Sequence, residues 1–174
     1  MSNYYTIPYN RKIMNLSYKF DCGNEGINNF LMSYESLNLR HGKTYVWLDN
    51  SRSVIVGYYN IGTGSINIFE NNRWYKAGGS LHINYFAMDK RFQGIRIKAN
   101  EKQSIKLSEA LLHDLNNRAL HIRKRDLGYR YITLCSTLAG EKLYKDNGFD
   151  YLNSLVSFYR DEQEEDCIQM YKVL

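Results

Sequence analysis

The sequence predicts an α/β (α+β) fold, a mixed central β-sheet flanked by helices on both faces. Three observations predict this class. Segments of strand composition recur along the chain, segments with apolar residues at helical spacing lie between them, and no Pro-rich linker or internal repeat interrupts their order. The chain has 174 residues, of which 44% are hydrophobic and one is proline, so we expect a single domain spanning residues 1–174.

The N-terminal part predicts a strand, a helix and a hairpin. Residues 16–20 have strand character, and Asn24 can cap a helix that runs to about Leu39 on apolar residues at helical spacing. Two strands follow, at 44–49 and 53–62, and they are separated by turn-forming residues. We expect these two strands to form an antiparallel hairpin.

The middle of the chain predicts a loop, a strand and the longest helix. Residues 69–80 are polar and contain glycines, which indicates a loop, and Leu81–Met88 has strand composition. From Ser104 onwards, apolar residues recur nearly every four positions to Ile122, which predicts a helix that Ser104 caps.

The C-terminal part predicts a strand, a short helix and two further strands. Tyr129–Cys135 has strand composition, and 137–147 reads as a helix that ends before Gly148. Residues 149–152 and 167–173 have strand character, and the acidic residues 161–166 between them indicate a solvated turn.

Charge and cysteine content exclude some classes of protein. A net charge of +5 and a pI near 9.0 permit an anionic partner such as a nucleotide or RNA. Three scattered cysteines predict neither a disulfide framework nor a zinc site, so no metal is expected. Because there is no signal-peptide core and no apolar run of membrane-spanning length, we expect a cytoplasmic protein that does not bind a membrane.

Four segments, in this order, resemble the GNAT superfamily of N-acetyltransferases. Their sequences are FDCGNEGINNFL, VGYY, FAMDKRFQG and EKLYKDNGF, at 20–31, 56–59, 86–94 and 141–149. They are most similar to the GNAT toxins of bacterial toxin–antitoxin pairs. The resemblance implies a GNAT fold, acetyl-coenzyme A (acetyl-CoA) as donor, and transfer of the acetyl group to a primary amine.

The resemblance also implies a donor site. In the family, backbone groups of the fourth strand orient the pantetheine arm, and a loop followed by a helix N-terminus binds the pyrophosphate. The matching strand residues are Phe86, Ala87 and Met88. The matching pyrophosphate residues are Gln93, Gly94, Ile95 and Arg96, followed by Ser104, Ile105 and Lys106.

The chain departs from the family pattern within this loop. Arg96 stands where the family has a small residue, and extra residues from Ile97 to about Gln103 precede the helix. Arg96 adds positive charge but also bulk, so the loop is expected to bind differently, to become ordered on binding, or to have lost the donor.

By resemblance, Tyr144 is the general acid that faces the coenzyme sulfur, because a phenol with an ordinary pKa near 10 is protonated at neutral pH. Ser136 precedes it and is a candidate for hydrogen bonding to the coenzyme arm. The sequence singles out no general base: Glu70, His82 and Tyr85 are the candidates, and a water molecule can also relay the proton.

The resemblance to the toxins implies the α-amine of aminoacyl-tRNA as acceptor, with a small antitoxin as partner and a homodimer as assembly. Two basic segments are candidate RNA contacts. They are the run Arg118, His121, Arg123, Lys124, Arg125 and Arg130, and the segment Arg73, Trp74, Tyr75 and Lys76. Acetylation of protein lysines or small amines, and a non-catalytic binding module on the same scaffold, remain open alternatives.

Overall fold

The computed structural model describes residues 5–98, 104–152, 156–158 and 167–174. Within these residues the α-helices are α1 (Glu25–Met32), α2 (Leu107–Arg125) and α3 (Leu138–Asp146). Its strands are β1 (Thr6–Pro8), β2 (Lys43–Leu48), β3 (Ile55–Glu70), β4 (Arg73–Met88), β5 (Arg96–Lys98), β6 (Ser104–Lys106), β7 (Tyr131–Ser136), β8 (Asp150–Tyr151), β9 (Val156–Phe158) and β10 (Ile168–Val173).

The main sheet has the strand order β1-β2-β3-β4-β7-β10-β8, and β9 pairs with β3. β4 and β7 are parallel, whereas the pairs β1–β2, β2–β3, β7–β10 and β8–β10 are antiparallel. β5 and β6 form a separate two-stranded hairpin. The predicted class, an α/β fold with a mixed sheet and helices, is confirmed.

The described residues form two compact units that alternate along the chain. Unit 1 contains the residues up to Ile61 together with Tyr85–Arg118, and unit 2 contains Gly62–Asn84 and Ala119–Leu174. Strands β3 and β4 and helix α2 each run through both units, because each unit boundary falls within one of these elements.

Unit 1 has an aromatic and aliphatic core beneath α1. Asn24 caps this helix as predicted, since its side chain accepts a hydrogen bond from the Ile27 N–H. The buried residues of this core are Tyr9, Phe20, Phe30, Leu31, Val46, Ile55, Tyr58 and Ala87. They come from both ends of the unit's sequence, so burial of this apolar surface holds α1 against the sheet.

A buried carboxylate connects three elements of unit 1. Asp114 on α2 is 3% exposed and accepts hydrogen bonds from the Tyr5 N–H at 2.6 Å, the Thr6 hydroxyl at 2.6 Å and the Tyr59 hydroxyl at 2.7 Å. Arg118, one turn further along α2, donates to the Tyr59 hydroxyl and to the Thr6 carbonyl. The segment at β1, strand β3 and helix α2 are therefore joined by one polar cluster.

The core of unit 2 lies on the central strands β7 and β10. Ile132, Leu134 and Met170 are almost fully buried, and so is Phe149, which follows α3. The Tyr129 hydroxyl donates to the Ala119 carbonyl of α2 and so anchors the end of that helix within this unit.

Cys135 and Cys167 form a disulfide with their Cα atoms 5.2 Å apart. The prediction of no disulfide was wrong for this pair. The reason is the antiparallel pairing of β7 with β10, which places Cys135 opposite Gln169, two residues from Cys167. Spacing along the sequence does not show a proximity that strand pairing creates.

The N-terminal predictions were wrong in part. Residues 16–20 are not a strand, because Met14–Lys19 forms a 3₁₀-helix, and the first strand is β1. The helix predicted to run to Leu39 ends at Met32, and two 3₁₀-helices follow it. The side chains of Ser33 and Asn38 cap these two helices by accepting hydrogen bonds from backbone N–H groups. These polar side chains compete for the backbone and break the helix.

The predicted loop at 69–80 is instead part of a long hairpin. β3 continues to Glu70 and β4 begins at Arg73, with Asn71 and Asn72 both at positive φ in the turn. Polar composition and two glycines indicated a loop, but pairing with β3 and β7 makes the segment a strand.

The long helix begins three residues later than predicted. Ser104, Ile105 and Lys106 form β6, and α2 starts at Leu107, so Ser104 is not its cap. The acidic segment 161–166 lies outside the described residues. Within the part of the chain that the structure describes, no helix combines the length and apolar character needed to cross a bilayer.

Replacing Asp114 with alanine should lower the free energy of unfolding by about 3–5 kcal/mol, because it removes the buried counter-ion of Arg118 and the acceptor of two hydroxyl groups. Urea denaturation measures the change. Asp146→Ala is the matched control: this exposed carboxylate pairs with Lys142, and its loss should change stability by about 0.5 kcal/mol or less. Equal effects of the two substitutions would contradict a structural role for the cluster.

Candidate donor loop and catalytic tyrosine

The end of β4 packs closely against β3 in unit 1. A Cβ atom at Gly57 would lie 2.6 Å from the Met88 sulfur and 2.8 Å from the Ala87 carbonyl oxygen, so glycine is required there. Ala87 and Met88 are buried, and Phe86 is partly buried. The glycine of the VGYY segment therefore fixes the strand end at which the predicted pantetheine-binding residues lie.

An ion pair holds the turn that follows β4. Asp89 is 1% exposed, and its carboxylate accepts from the Arg91 guanidinium at 2.8 and 2.7 Å and from the Asp21 N–H at 3.1 Å. Burial opposes ionisation of Asp89, but the hydrogen bonds from Arg91 and the backbone outweigh it, so the pKa lies below its ordinary value. Arg91 therefore stabilises the turn by binding the Asp89 carboxylate. This role was missed in the sequence, although the spacing of an aspartate two residues before an arginine is the signal that could have indicated the pair.

The loop at residues 93–95, here called the Gly94 loop, is anchored by one side chain. The Gln93 amide donates to the carbonyl oxygens of Cys22 and Met88, both at 3.0 Å. Gly94 has φ +77°, and nothing lies within 4 Å of the position its Cβ would occupy. The backbone here takes a conformation that favours glycine and faces open space, which is the arrangement that lets backbone N–H groups approach an anion.

The Gly94 loop is joined directly to the start of α2. The Leu107 N–H donates to the Ile95 carbonyl oxygen at 2.9 Å, so the first turn of the helix lies against the loop. Two predicted donor residues, Arg96 and Ser104, lie together on the inserted hairpin, where the Arg96 Nε donates to the Ser104 hydroxyl at 3.2 Å and a second guanidinium nitrogen donates to the Ser104 carbonyl. The bulk of Arg96 therefore lies along β6.

In unit 2, Tyr144 lies near the end of α3. Thr137 caps this helix, and the Tyr144 ring packs edge-to-face on Phe149 with ring centroids 5.5 Å apart. The residue is 6% exposed, and burial raises the pKa of its phenol above the ordinary value. At neutral pH this group is a proton donor.

Ser136 and Tyr144 are brought together across a glycine. A Cβ at Gly140 would lie 3.1 Å from the Ser136 hydroxyl and 3.4 Å from the Tyr144 ring. Ser136 is 2% exposed and donates to the Thr137 carbonyl at 2.8 Å. Sequence reasoning missed Gly140, although its position one helical turn before Tyr144 is the signal that could have found it.

The three candidate bases lie in different surroundings. Glu70 is exposed beside the turn of the β3–β4 hairpin, and Tyr85 stacks on Phe30 with centroids 3.9 Å apart. The Nδ1 atom of His82 shares a hydrogen bond of 2.9 Å with the Thr133 hydroxyl. Burial lowers the pKa of the His82 imidazole to about 4. A histidine with that pKa is neutral at pH 7, but it is a weak base.

The two candidate RNA contacts differ in exposure. Arg118 belongs to the Asp114 cluster and stacks on the Tyr45 ring at 3.9 Å, so it does not present its charge at a surface. In unit 2, Lys124, Arg125 and Arg130 are exposed. The other segment, Arg73, Trp74, Tyr75 and Lys76, is exposed throughout and begins β4 at the hairpin turn, with Trp74 tilted against Phe69 at 5.2 Å.

No family model matches the chain, and no curated protein matches its sequence significantly. Solved structures do match. One described as a bacterial toxin has a TM-score of 0.72 at 14% identity, covering 97% of this chain and 89% of its own. AtaTR bound with acetyl-CoA has a TM-score of 0.70 at 18% identity, covering 99% and 95%.

A third match is AtaT complexed with acetyl-methionyl-tRNAfMet, with a TM-score of 0.60 at 21% identity, covering 82% of this chain and 86% of that one. These proteins are GNAT-fold toxins of toxin–antitoxin systems. At such identities the likeness shows the fold, so the chain has the GNAT fold, and the resemblance found in its sequence is confirmed at that level.

Proposed function

We propose that this protein is an N-acetyltransferase that moves the acetyl group of acetyl-CoA to the α-amine of aminoacyl-tRNA. The observation that carries the proposal is the Gly94 loop, a left-handed glycine facing open space and hydrogen-bonded through Ile95 to the start of a long helix. This is the local structure that binds a diphosphate. The GNAT fold and the buried phenol of Tyr144 support the same assignment.

The residues at the loop fit the diphosphate of the donor. The first turn of α2 carries the positive end of the helix dipole, and Gly94 leaves room for an anion to reach the backbone. Phe86, Ala87 and Met88 at the end of β4 would hold the pantetheine arm by strand-like hydrogen bonding. When bound, acetyl-CoA supplies an acetyl group on a thioester whose sulfur departs as a thiolate.

Tyr144 would protonate that departing sulfur. Because burial raises its pKa, the phenol keeps its proton through the neutral and mildly alkaline range, which suits a general acid and not a base. Ser136, close to it across Gly140, would hydrogen-bond the coenzyme arm. The attacking amine must be neutral, and an amine that is unprotonated at working pH needs no dedicated base.

Support for an RNA acceptor comes from one neighbour and one surface. AtaT has been solved with acetyl-methionyl-tRNAfMet, which is an acetylated aminoacyl-tRNA. In this chain the start of β4 presents two exposed aromatic rings between Arg73 and Lys76. Aromatic faces flanked by cations bind unpaired bases. Acetylation of the α-amine would block peptide-bond formation. The partners that such a toxin would have are a small antitoxin and a second copy of the chain.

Gly94→Asp should abolish binding of acetyl-CoA at micromolar concentration. The substitution forces a side chain into positive φ and places a negative charge where the diphosphate would bind. Calorimetric titration of the folded protein measures the affinity. Gly128→Asp is the matched control, because this exposed glycine is not at positive φ and has nothing within 4 Å of a Cβ.

Absence of acetyl-CoA binding by the natural sequence would reject the donor assignment and favour a non-catalytic scaffold. Equal binding by both aspartate variants would show that the donor does not use the Gly94 loop.

Tyr144→Phe should lower kcat by about 10²–10⁴-fold, because it removes the proton donor and keeps the ring that packs on Phe149. The Kd for acetyl-CoA should change by less than about twofold, since the lost interaction forms during reaction. The assay is transfer of a labelled acetyl group to charged tRNA. Tyr151→Phe is the control, because it removes an exposed hydroxyl that donates to Glu141. Unchanged kcat in Tyr144→Phe would exclude this residue as the acid.

Trp74→Ala and Tyr75→Ala should each weaken tRNA binding by roughly tenfold, the value expected for loss of one base stacked on an aromatic ring. Filter binding at a fixed salt concentration measures the effect. Tyr34→Ala removes a still more exposed aromatic side chain in unit 1 and should leave the affinity unchanged. Loss of affinity in the Tyr34 variant alone would place the RNA elsewhere.

A further inference from the structure

The two strands that lie between the Gly94 loop and α2, β5 and β6, form an amphipathic pair, here called the β5–β6 hairpin. In the antiparallel pairing of β5 with β6, Arg96 lies opposite Lys106, Lys98 opposite Ser104, and Ile97 opposite Ile105. Cross-strand partners share a face, and neighbouring residues alternate between faces. Arg96, Lys98, Ser104 and Lys106 therefore lie on one face, and the two isoleucines lie on the other.

The two faces have opposite surroundings. All four polar residues are exposed, whereas Ile97 and Ile105 are partly buried, so the apolar face is the one turned towards protein. Among the described residues, none of these three cations forms an ion pair with a carboxylate. The hairpin thus presents three positive charges and one hydroxyl to solvent, a composition suited to a dianionic phosphate.

The position of the hairpin restricts which phosphate it can meet. Its first strand begins directly after the Gly94 loop. Directly after its second strand, the Leu107 N–H donates a hydrogen bond to the Ile95 carbonyl oxygen of that loop. An anion on its basic face is therefore a near neighbour of an anion at the loop. CoA carries such a pair of anions, because the ribose that bears the diphosphate on its 5′ oxygen bears a monophosphate on its 3′ oxygen.

We propose that the basic face of the β5–β6 hairpin binds the 3′-phosphate of CoA, with Lys98 and Lys106 as its principal contacts. The inference rests on the proposed donor site at the Gly94 loop. The guanidinium of Arg96 is already hydrogen-bonded to Ser104, so it orders the face and adds charge, whereas neither lysine side chain has a hydrogen bond of this kind to another residue that the structure describes. The insertion in this view extends the donor site beyond the diphosphate and selects the 3′-phosphorylated coenzyme.

The test compares CoA with dephospho-CoA, which lacks only the 3′-phosphate, by calorimetric titration. The natural sequence should prefer CoA by about tenfold, the sum expected of two exposed charge pairs to one phosphate. In a Lys98→Gln/Lys106→Gln variant the preference should fall to about twofold or less, because the affinity for CoA should fall more than the affinity for dephospho-CoA. Lys12→Gln removes an exposed lysine elsewhere in unit 1 and should keep the full preference.

Each outcome decides between the proposals. Equal affinities for CoA and dephospho-CoA in the natural sequence, or a preference that survives in the double variant, would overturn the 3′-phosphate site while leaving the donor assignment intact. Failure to bind either nucleotide would overturn the donor assignment itself. Loss of tRNA affinity in the double variant, with its preference for CoA unchanged, would overturn the proposal and assign the hairpin to RNA.

Discussion

The hydrogen bonding of Asp114 is the constraint on which the arrangement of unit 1 depends. A carboxylate that is 3% exposed is costly unless its acceptor positions are filled, and here they are filled by the Tyr5 N–H, by Thr6 and by the Tyr59 hydroxyl. The Tyr59 hydroxyl serves both charges, donating to Asp114 and accepting from Arg118. Burial and the neighbouring carboxylate both raise the pKa of Tyr59, so this donor stays protonated. The cluster therefore fixes the rotation of α2 about its axis as well as its position.

That fixed helix bears directly on the Gly94 loop. The N–H groups at the start of α2 point along its axis, so any anion they attract is positioned by whatever holds the helix. Two further contacts in unit 1 hold the loop itself: Gln93 joins it to β4 and to the chain before α1, and the ion pair of buried Asp89 with the half-exposed Arg91 holds the turn before it. The loop can consequently be open to solvent and still be rigid, which is what preorganised binding of a diphosphate requires.

The sequence was most informative where local pattern and tertiary structure agree. Asn24 as a cap, the strand at 81–88, and the helix carrying Tyr144 all follow from local signals that the fold does not override. The start of β4 could not be predicted this way, because Gly78, Gly79 and the polar residues before them are strand only through their partners on β3 and β7. The prediction that Ser104 caps α2 was wrong for a related reason. A serine before an apolar stripe is a typical helix cap, but pairing with Lys98 makes Ser104 a strand residue.

The charged residues show the same limit of prediction from sequence, because the sequence does not distinguish a cation paired with a carboxylate from one that is exposed. Arg91 and Arg118 lie beside buried carboxylates, and a cation so neutralised contributes little to the field outside the protein. Lys98 and Lys106 are exposed on the hairpin, and they lie opposite the two residues that immobilise each other, Ser104 and Arg96. A positively charged surface becomes selective when its charges are held at a fixed spacing, and a two-stranded ladder provides that spacing. The net charge of +5 therefore permits many anionic partners, but the pairing of β5 with β6 favours a particular one, a phosphate next to the Gly94 loop.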